Sequence, residues 1–121
     1  MEVAKKCIAG KSSACLEAGE MFLTGKGGLD ASKTEALALF DRACTLHSLT
    51  GCHRAADVLV DLGEGKRARR LYEKACDAAS AHSCDKLSEL WRDGVGGARN
   101  ERTADAFKNR ACQLGRKSSC K

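Results

Sequence analysis

The chain has no proline, only five aromatic residues and no long apolar run in its 121 residues. Each absence excludes something. Without proline, glycine alone is left to end the helices, because it takes up the left-handed backbone that a helix terminus requires. Few aromatics means little for unpaired bases to stack on, and no nucleic-acid-binding motif is present, so nucleic acid is not an expected partner despite the net charge of +5. No segment reaches the roughly eighteen apolar residues that suggest a membrane span. The start, Met1-Glu2-Val3-Ala4-Lys5-Lys6-Cys7, lacks the apolar core of a signal peptide. No stretch alternates polar and apolar residues with period two, so strands have no place. Catalytic patterns are also missing. The spacing contains no Ser-His-Asp or Cys-His constellation and no phosphate-binding glycine loop. Ser83-Cys84-Asp85-Lys86 matches the S-x-x-K pattern of serine β-lactamases, but the companion S-D-N and K-T-G elements are absent, and Lys33-Thr34-Glu35 lacks the glycine. The pattern recurs in Ser118-Ser119-Cys120-Lys121, and Ser83 stands where a helix is expected to begin, which suits a capping role.

What the chain does have is eight cysteines in four pairs of one spacing. Cys7 and Cys15, Cys44 and Cys52, Cys76 and Cys84, and Cys112 and Cys120 all read C-x7-C. The pairs recur at intervals of 37, 32 and 36 residues, a period that belongs to stacked helical repeats. Other residues keep the same register. Arg42-Ala43-Cys44, Lys74-Ala75-Cys76 and Arg110-Ala111-Cys112 share a basic-Ala-Cys ending, preceded at fixed offsets by Leu39, Leu71 and Phe107 and by Ala36, Ala68 and Ala104. After the second cysteine of each pair come Ala18, Met21 and Phe22, then Ala55, Val58 and Leu59, then Leu87, Leu90 and Trp91, which is the i, i+3, i+4 spacing of a buried helical face.

These patterns predict six main helices, near residues 12–24, 31–44, 49–62, 65–77, 81–93 and 100–113. Glycines at Gly25, Gly27 and Gly28, at Gly63 and Gly65, and at Gly94, Gly96 and Gly97 separate them. One repeat domain spans 1–121: residues 1–11 form the tail of a preceding closing helix, 12–48 repeat one, 49–80 a short repeat two, 81–116 repeat three, and 117–121 the start of a further unit. That start suggests a fragment of a longer array. Lys108, standing where Phe40 and Tyr72 stand earlier, instead suggests a capping pair that faces water.

The pattern resembles the Sel-1-like repeat family, relatives of the tetratricopeptide repeat. Ala18-Gly19-Glu20-Met21-Phe22, Gly25-Lys26-Gly27 and Leu71-Tyr72-Glu73-Lys74-Ala75 echo its motif, and the likeness covers nearly the whole chain. Ala56 and Ser88 replace the motif glycine held by Gly19; both are small, so close helix approach is retained. A C-x7-C pair in every unit is similar to the cysteine-rich bacterial subgroup, some of whose members are described as penicillin-binding proteins or β-lactamases. The resemblance implies an all-α, right-handed solenoid, and a binding module or scaffold whose first helices line a concave face. It implies two alternatives as well. One is a β-lactam-binding or weakly hydrolysing protein that takes a β-lactam or cell-wall ligand. The other is a metal- or haem-related assembly factor, since a mitochondrial member of the wider family is associated with haem.

The cysteines allow disulfides, metal ligation or reduced burial. Zinc sites favour C-x2-4-C spacing, whereas here one cysteine closes a helix and the next opens another, so the expectation is four disulfides: Cys7–Cys15, Cys44–Cys52, Cys76–Cys84 and Cys112–Cys120. Disulfides imply an oxidising compartment, meaning the periplasm, the cell exterior or a mitochondrial intermembrane space, and the expectation is a periplasmic or secreted chain whose leader has been removed. On the expected concave face stand Glu17, Glu20 and Thr24, then Arg54, Asp57 and Asp61, then Lys86, Glu89 and Asp93; Glu20, Asp57 and Glu89 are equivalent and all acidic. Positive charge gathers elsewhere, in Lys66, Arg67, Arg69 and Arg70 and in Arg99, Arg102, Lys108 and Arg110. The expected partner is therefore a protein or peptide of basic character, while the Lys66–Arg70 run suits anionic lipid or cell-wall polymer. No catalytic residue, metal or cofactor is assigned. His47, His53 and His82 lie in or beside the turns, and no two of them are four apart on one helix.

Overall fold

A computed structural model describes residues 2–26 and 31–120. Gly27 and Gly28, assigned to the turn with Gly25, lie outside the described residues. Seven α-helices occur among the described residues: α1 Glu2–Ile8, α2 Ser12–Thr24, α3 Lys33–Thr45, α4 Leu49–Asp61, α5 Gly65–Asp77, α6 Ala81–Asp93 and α7 Glu101–Gln113, followed by a 3-10 turn at Lys117–Ser119. No strand occurs among them. The chain forms two compact units, Met1–Leu62 and Gly63–Lys121.

In the first unit α2 packs against α1 and α3, and α3 packs on α4. Its core is built from small residues and one ring: Ala18, Ala36, Ala43 and Ala55 are fully buried with Phe40. Gly19 admits that ring, because a Cβ there would lie 2.6 Å from Phe40 Cε1. In the second unit α6 packs on both α5 and α7. Here Ser88 takes the glycine's place and Lys108 that of the ring. With no ring to admit, the serine Oγ donates instead to the Ala104 carbonyl at 2.7 Å. Phe40 and Tyr72 are buried, whereas Leu39, Leu71 and Phe107, one position earlier in the register, are only half-buried.

All eight cysteines are joined as the spacing predicts, Cys7–Cys15, Cys44–Cys52, Cys76–Cys84 and Cys112–Cys120. The turns they staple share one backbone design. Three residues after each first cysteine the chain turns left-handed, at Gly10, His47, Ala79 and Gly115. The following amide, of Lys11, Ser48, Ser80 or Arg116, then donates to the carbonyl of Lys6, Ala43, Ala75 or Ala111, closing each helix with the paired bonds of a Schellman motif. The expectation that glycine alone ends the helices therefore fails at His47 and Ala79, where the closing bonds and the staple hold L residues in the left-handed region. Gly65 departs from the expected breaks too: it is the first residue of α5, buried, with room for a Cβ denied by Val95 and Gly96.

The capping assignment also changes. Ser80, not Ser83, is the N-cap of α6: its Oγ accepts the Ser83 amide at 3.3 Å. Ser48 and Ser32 cap α4 and α3 in the same way through the amides of Gly51 and Glu35. The residue before each second cysteine, Ala14, Gly51, Ser83 or Ser119, is small and buried. At Gly51 the reason is visible: a Cβ would stand 2.6 Å from that of Ala43.

Candidate functional site

On the outward face of the first unit, Arg54 of α4 reaches across to α2. Its Nε donates to Glu20 Oε1 at 2.6 Å, and its Nη1 lies 3.6 Å from Asp57 Oδ2 on its own helix. The guanidinium stands 5.4 Å from the centre of the Phe40 ring, the ring that Gly19 lets in. A missing Cβ in α2 thus sets the depth of a ring in α3, and the ring supports a cation that joins α2 to α4. Asp57 also lies 3.9 Å from His53 Nδ1, and Asp61 lies 3.9 Å from Lys33 Nζ. Glu17 is exposed, and Thr24 donates to the Glu20 carbonyl at 2.9 Å.

The second unit presents Lys86, Glu89 and Asp93 on α6. Lys86 Nζ is 3.7 Å from Glu89 Oε2, and Asp93 is exposed. Of the three matched acids, Glu20 and Asp57 therefore share Arg54 and Glu89 faces Lys86. The acidic character expected of these helices is reduced by cations on the same face, and what remains is a mixed, pre-ordered array of hydrogen-bond donors and acceptors. Such half-exposed pairs each contribute less than about 1 kcal/mol, so they arrange side chains more than they stabilise the fold.

Several features escape the pattern reading. Arg69, counted above with the surface cations, is buried: its Cζ lies 4.1 Å from the centre of the Trp91 ring, and its Nη2 donates to the carbonyls of Leu90 and Ala98 at 3.1 and 3.4 Å. Gly97 makes room for it. Arg67 pairs with Glu64 at 2.9 Å. Asp85 gathers the chain that follows α7, accepting from Arg116 Nε at 3.2 Å and from Ser119 Oγ at 2.8 Å. A signal for the buried arginine existed in the glycines at Gly96 and Gly97, which mark a close approach as readily as a break. The small residue before every second cysteine was another legible signal.

The S-x-x-K pattern at Ser83 offers no exposed nucleophile. Ser83 is fully buried with its Oγ 3.0 Å from Ser80 Oγ, and Lys86 is turned to Glu89. No cysteine is free. Among the described residues no helix is long and apolar enough to cross a membrane.

No family model matches the chain. It is 32% identical over 119 residues to cytochrome c oxidase assembly factor 7 of Xenopus tropicalis, covering 90% of this chain and 52% of the relative. The chain thus spans about half the length of the curated relatives it matches. Its fold is similar to that of a Sel1 repeat protein from Oxalobacter formigenes, with a TM-score of 0.76 and 19% identity over 99% of this chain and 92% of that one. It is also similar to cysteine rich protein B of Helicobacter pylori, with a TM-score of 0.68 and 29% identity over 96% and 91% of the two chains. All-helical, repeated, and carrying a C-x7-C disulfide at every staple turn, the chain has the Sel-1-like repeat fold and is similar to its cysteine-rich form.

Proposed function

We propose that this chain is a disulfide-stapled protein-binding scaffold of the assembly-factor kind, working in an oxidising compartment outside the cytosol. Its partner is a polypeptide that belongs to a respiratory oxidase or to the machinery that builds one. The observation that carries the reading is the 32% identity with cytochrome c oxidase assembly factor 7 over nearly the whole of this chain. The partner docks on the first helices of the repeats, through Glu17, Glu20, Arg54, Asp57 and Asp61 of the first unit and Lys86, Glu89 and Asp93 of the second. Staples and ion pairs hold these side chains before docking, so little conformational entropy is lost when a segment binds. On α2 and α4 acids still outnumber Arg54, which favours a partner segment with basic residues.

The β-lactam alternative draws no support from the site, since Ser83 is buried and capped. The assembly half of the other alternative is now the main reading, while its metal or haem half finds no free thiol.

The test is site-specific photo-crosslinking. A photoreactive residue at position 17 or 61 is expected to yield adducts with an oxidase subunit or another assembly protein. Adducts that form only from the exposed second-helix positions 41 and 109, or only with unrelated proteins, would overturn the reading.

A further inference from the structure

Charge is divided between the two units. Met1–Leu62 carries seven Lys and Arg against eight Asp and Glu, whereas Gly63–Lys121 carries fourteen against eight. The whole positive excess belongs to the second unit. Ion pairing there leaves the excess in place: Glu64, Asp85, Glu89, Glu101 and Asp105 are engaged by Arg67, Arg116, Lys86, Arg92 and Arg99, five acids by five cations. On α5 the outcome is an exposed stripe at i, i+4 and i+8. Lys66, Arg70 and Lys74 are all exposed and have no ion pair among the described residues. Glu73 and Asp77 are the acids on that side of the helix. The stripe begins at the helix N-terminus, where the macrodipole disfavours cations, and its i, i+4 neighbours repel one another. Helix stability therefore does not account for it.

We infer that this stripe docks the second unit, without insertion, onto an anionic lipid surface. Among the described residues the exposed large hydrophobics are Ile8, Leu49 and Leu62, all in the first unit. The helix that carries the stripe, α5, thus exposes neither the apolar anchor that a protein interface centres on nor one that would enter a bilayer. Long flexible cations facing a sheet of phosphate headgroups need no such anchor, because each adds its own attraction within a Debye length. Duplex nucleic acid offers similar charge, but the disulfides assign the chain to compartments where it is not found. This inference goes beyond the proposed protein scaffold and does not depend on it.

The test is co-sedimentation with phosphatidylcholine vesicles, with and without phosphatidylglycerol. The protein should pellet only with the anionic vesicles and be released by salt. K66Q/R70Q/K74Q should weaken partitioning on the order of 100-fold, and the single variants K66Q and K74Q about five-fold each, which keeps the test open should the triple variant lose its helical circular dichroism. K5Q/K6Q/K11Q removes the same charge from the first unit and should have little effect. Equal loss from both triples, equal pelleting with neutral vesicles, or stronger binding to duplex DNA at matched phosphate would overturn the inference.

Discussion

Each staple turn demands a left-handed residue at one position, and two of the four turns meet the demand with a side chain. His47 and Ala79 hold φ near +70° and +75°, where Gly10 and Gly115 stand in the other two turns. An L residue there costs about 1–2 kcal/mol, partly offset by the roughly 0.4–1 kcal/mol it saves by restricting the unfolded chain. Ala79→Gly should therefore stabilise the protein by up to about 1 kcal/mol, and Gly115→Ala should destabilise it by a similar amount, both read from urea midpoints. A lower midpoint for Ala79→Gly would remove the strain argument. Arg69 is the other residue on which stability turns. Replacing it with alanine removes a buried cation–ring stack and two hydrogen bonds and uncovers the only tryptophan, at an expected cost of about 2–3 kcal/mol and with a red shift in fluorescence. Lysine should not rescue it, since it cannot stack as a plane and bridge two carbonyls. An R69A protein with unchanged emission would show that the stack does not shield Trp91.

Helices and turns were the most legible level. The observed bounds fall within two residues of the expected ones because the buried stripe and the cysteine period both report local geometry. The start of α3 at Lys33 rather than residue 31 is set by Ser32, and the Ser32-x-x-Glu35 spacing is a capping signature in its own right. Each staple closes a nine-residue loop, worth about 2.5 kcal/mol on the chain-entropy account. Replacing both Cys44 and Cys52 with serine should cost at least about that much, because the pair is also part of the core. The staples differ in access. Both cysteines of the first three pairs are buried, whereas Cys120 is exposed and Cys112 half-buried. Limited dithiothreitol followed by differential alkylation should therefore label Cys112 and Cys120 first. Earlier labelling of any buried pair would contradict this.

For the molecule as a whole, four staples contribute on the order of 10 kcal/mol, comparable with the roughly 5–15 kcal/mol net stability of a typical domain. The unreduced protein should have a mass eight hydrogens below that of the reduced chain, and full reduction should abolish its cooperative thermal transition by circular dichroism. A reduced chain that melts within a few degrees of the oxidised one would mean that the helix packing suffices alone. Repeat period, helix positions and cysteine pairing could all be read from the amino-acid order, because each depends on residues within a turn or two of one another: a disulfide here joins positions only eight apart. Which charges stay bare could not. Arg54 meets Glu20 across 34 positions, Arg116 meets Asp85 across 31, and Arg69 reaches Ala98 across 29. Those encounters depend on which helix faces which, a property of packing that periodicity does not encode. So the sequence by itself determined a stapled all-helical repeat, and only the tertiary structure decided that one basic-run arginine is core and that Glu20, Asp57 and Glu89 of the first helices are already paired with cations.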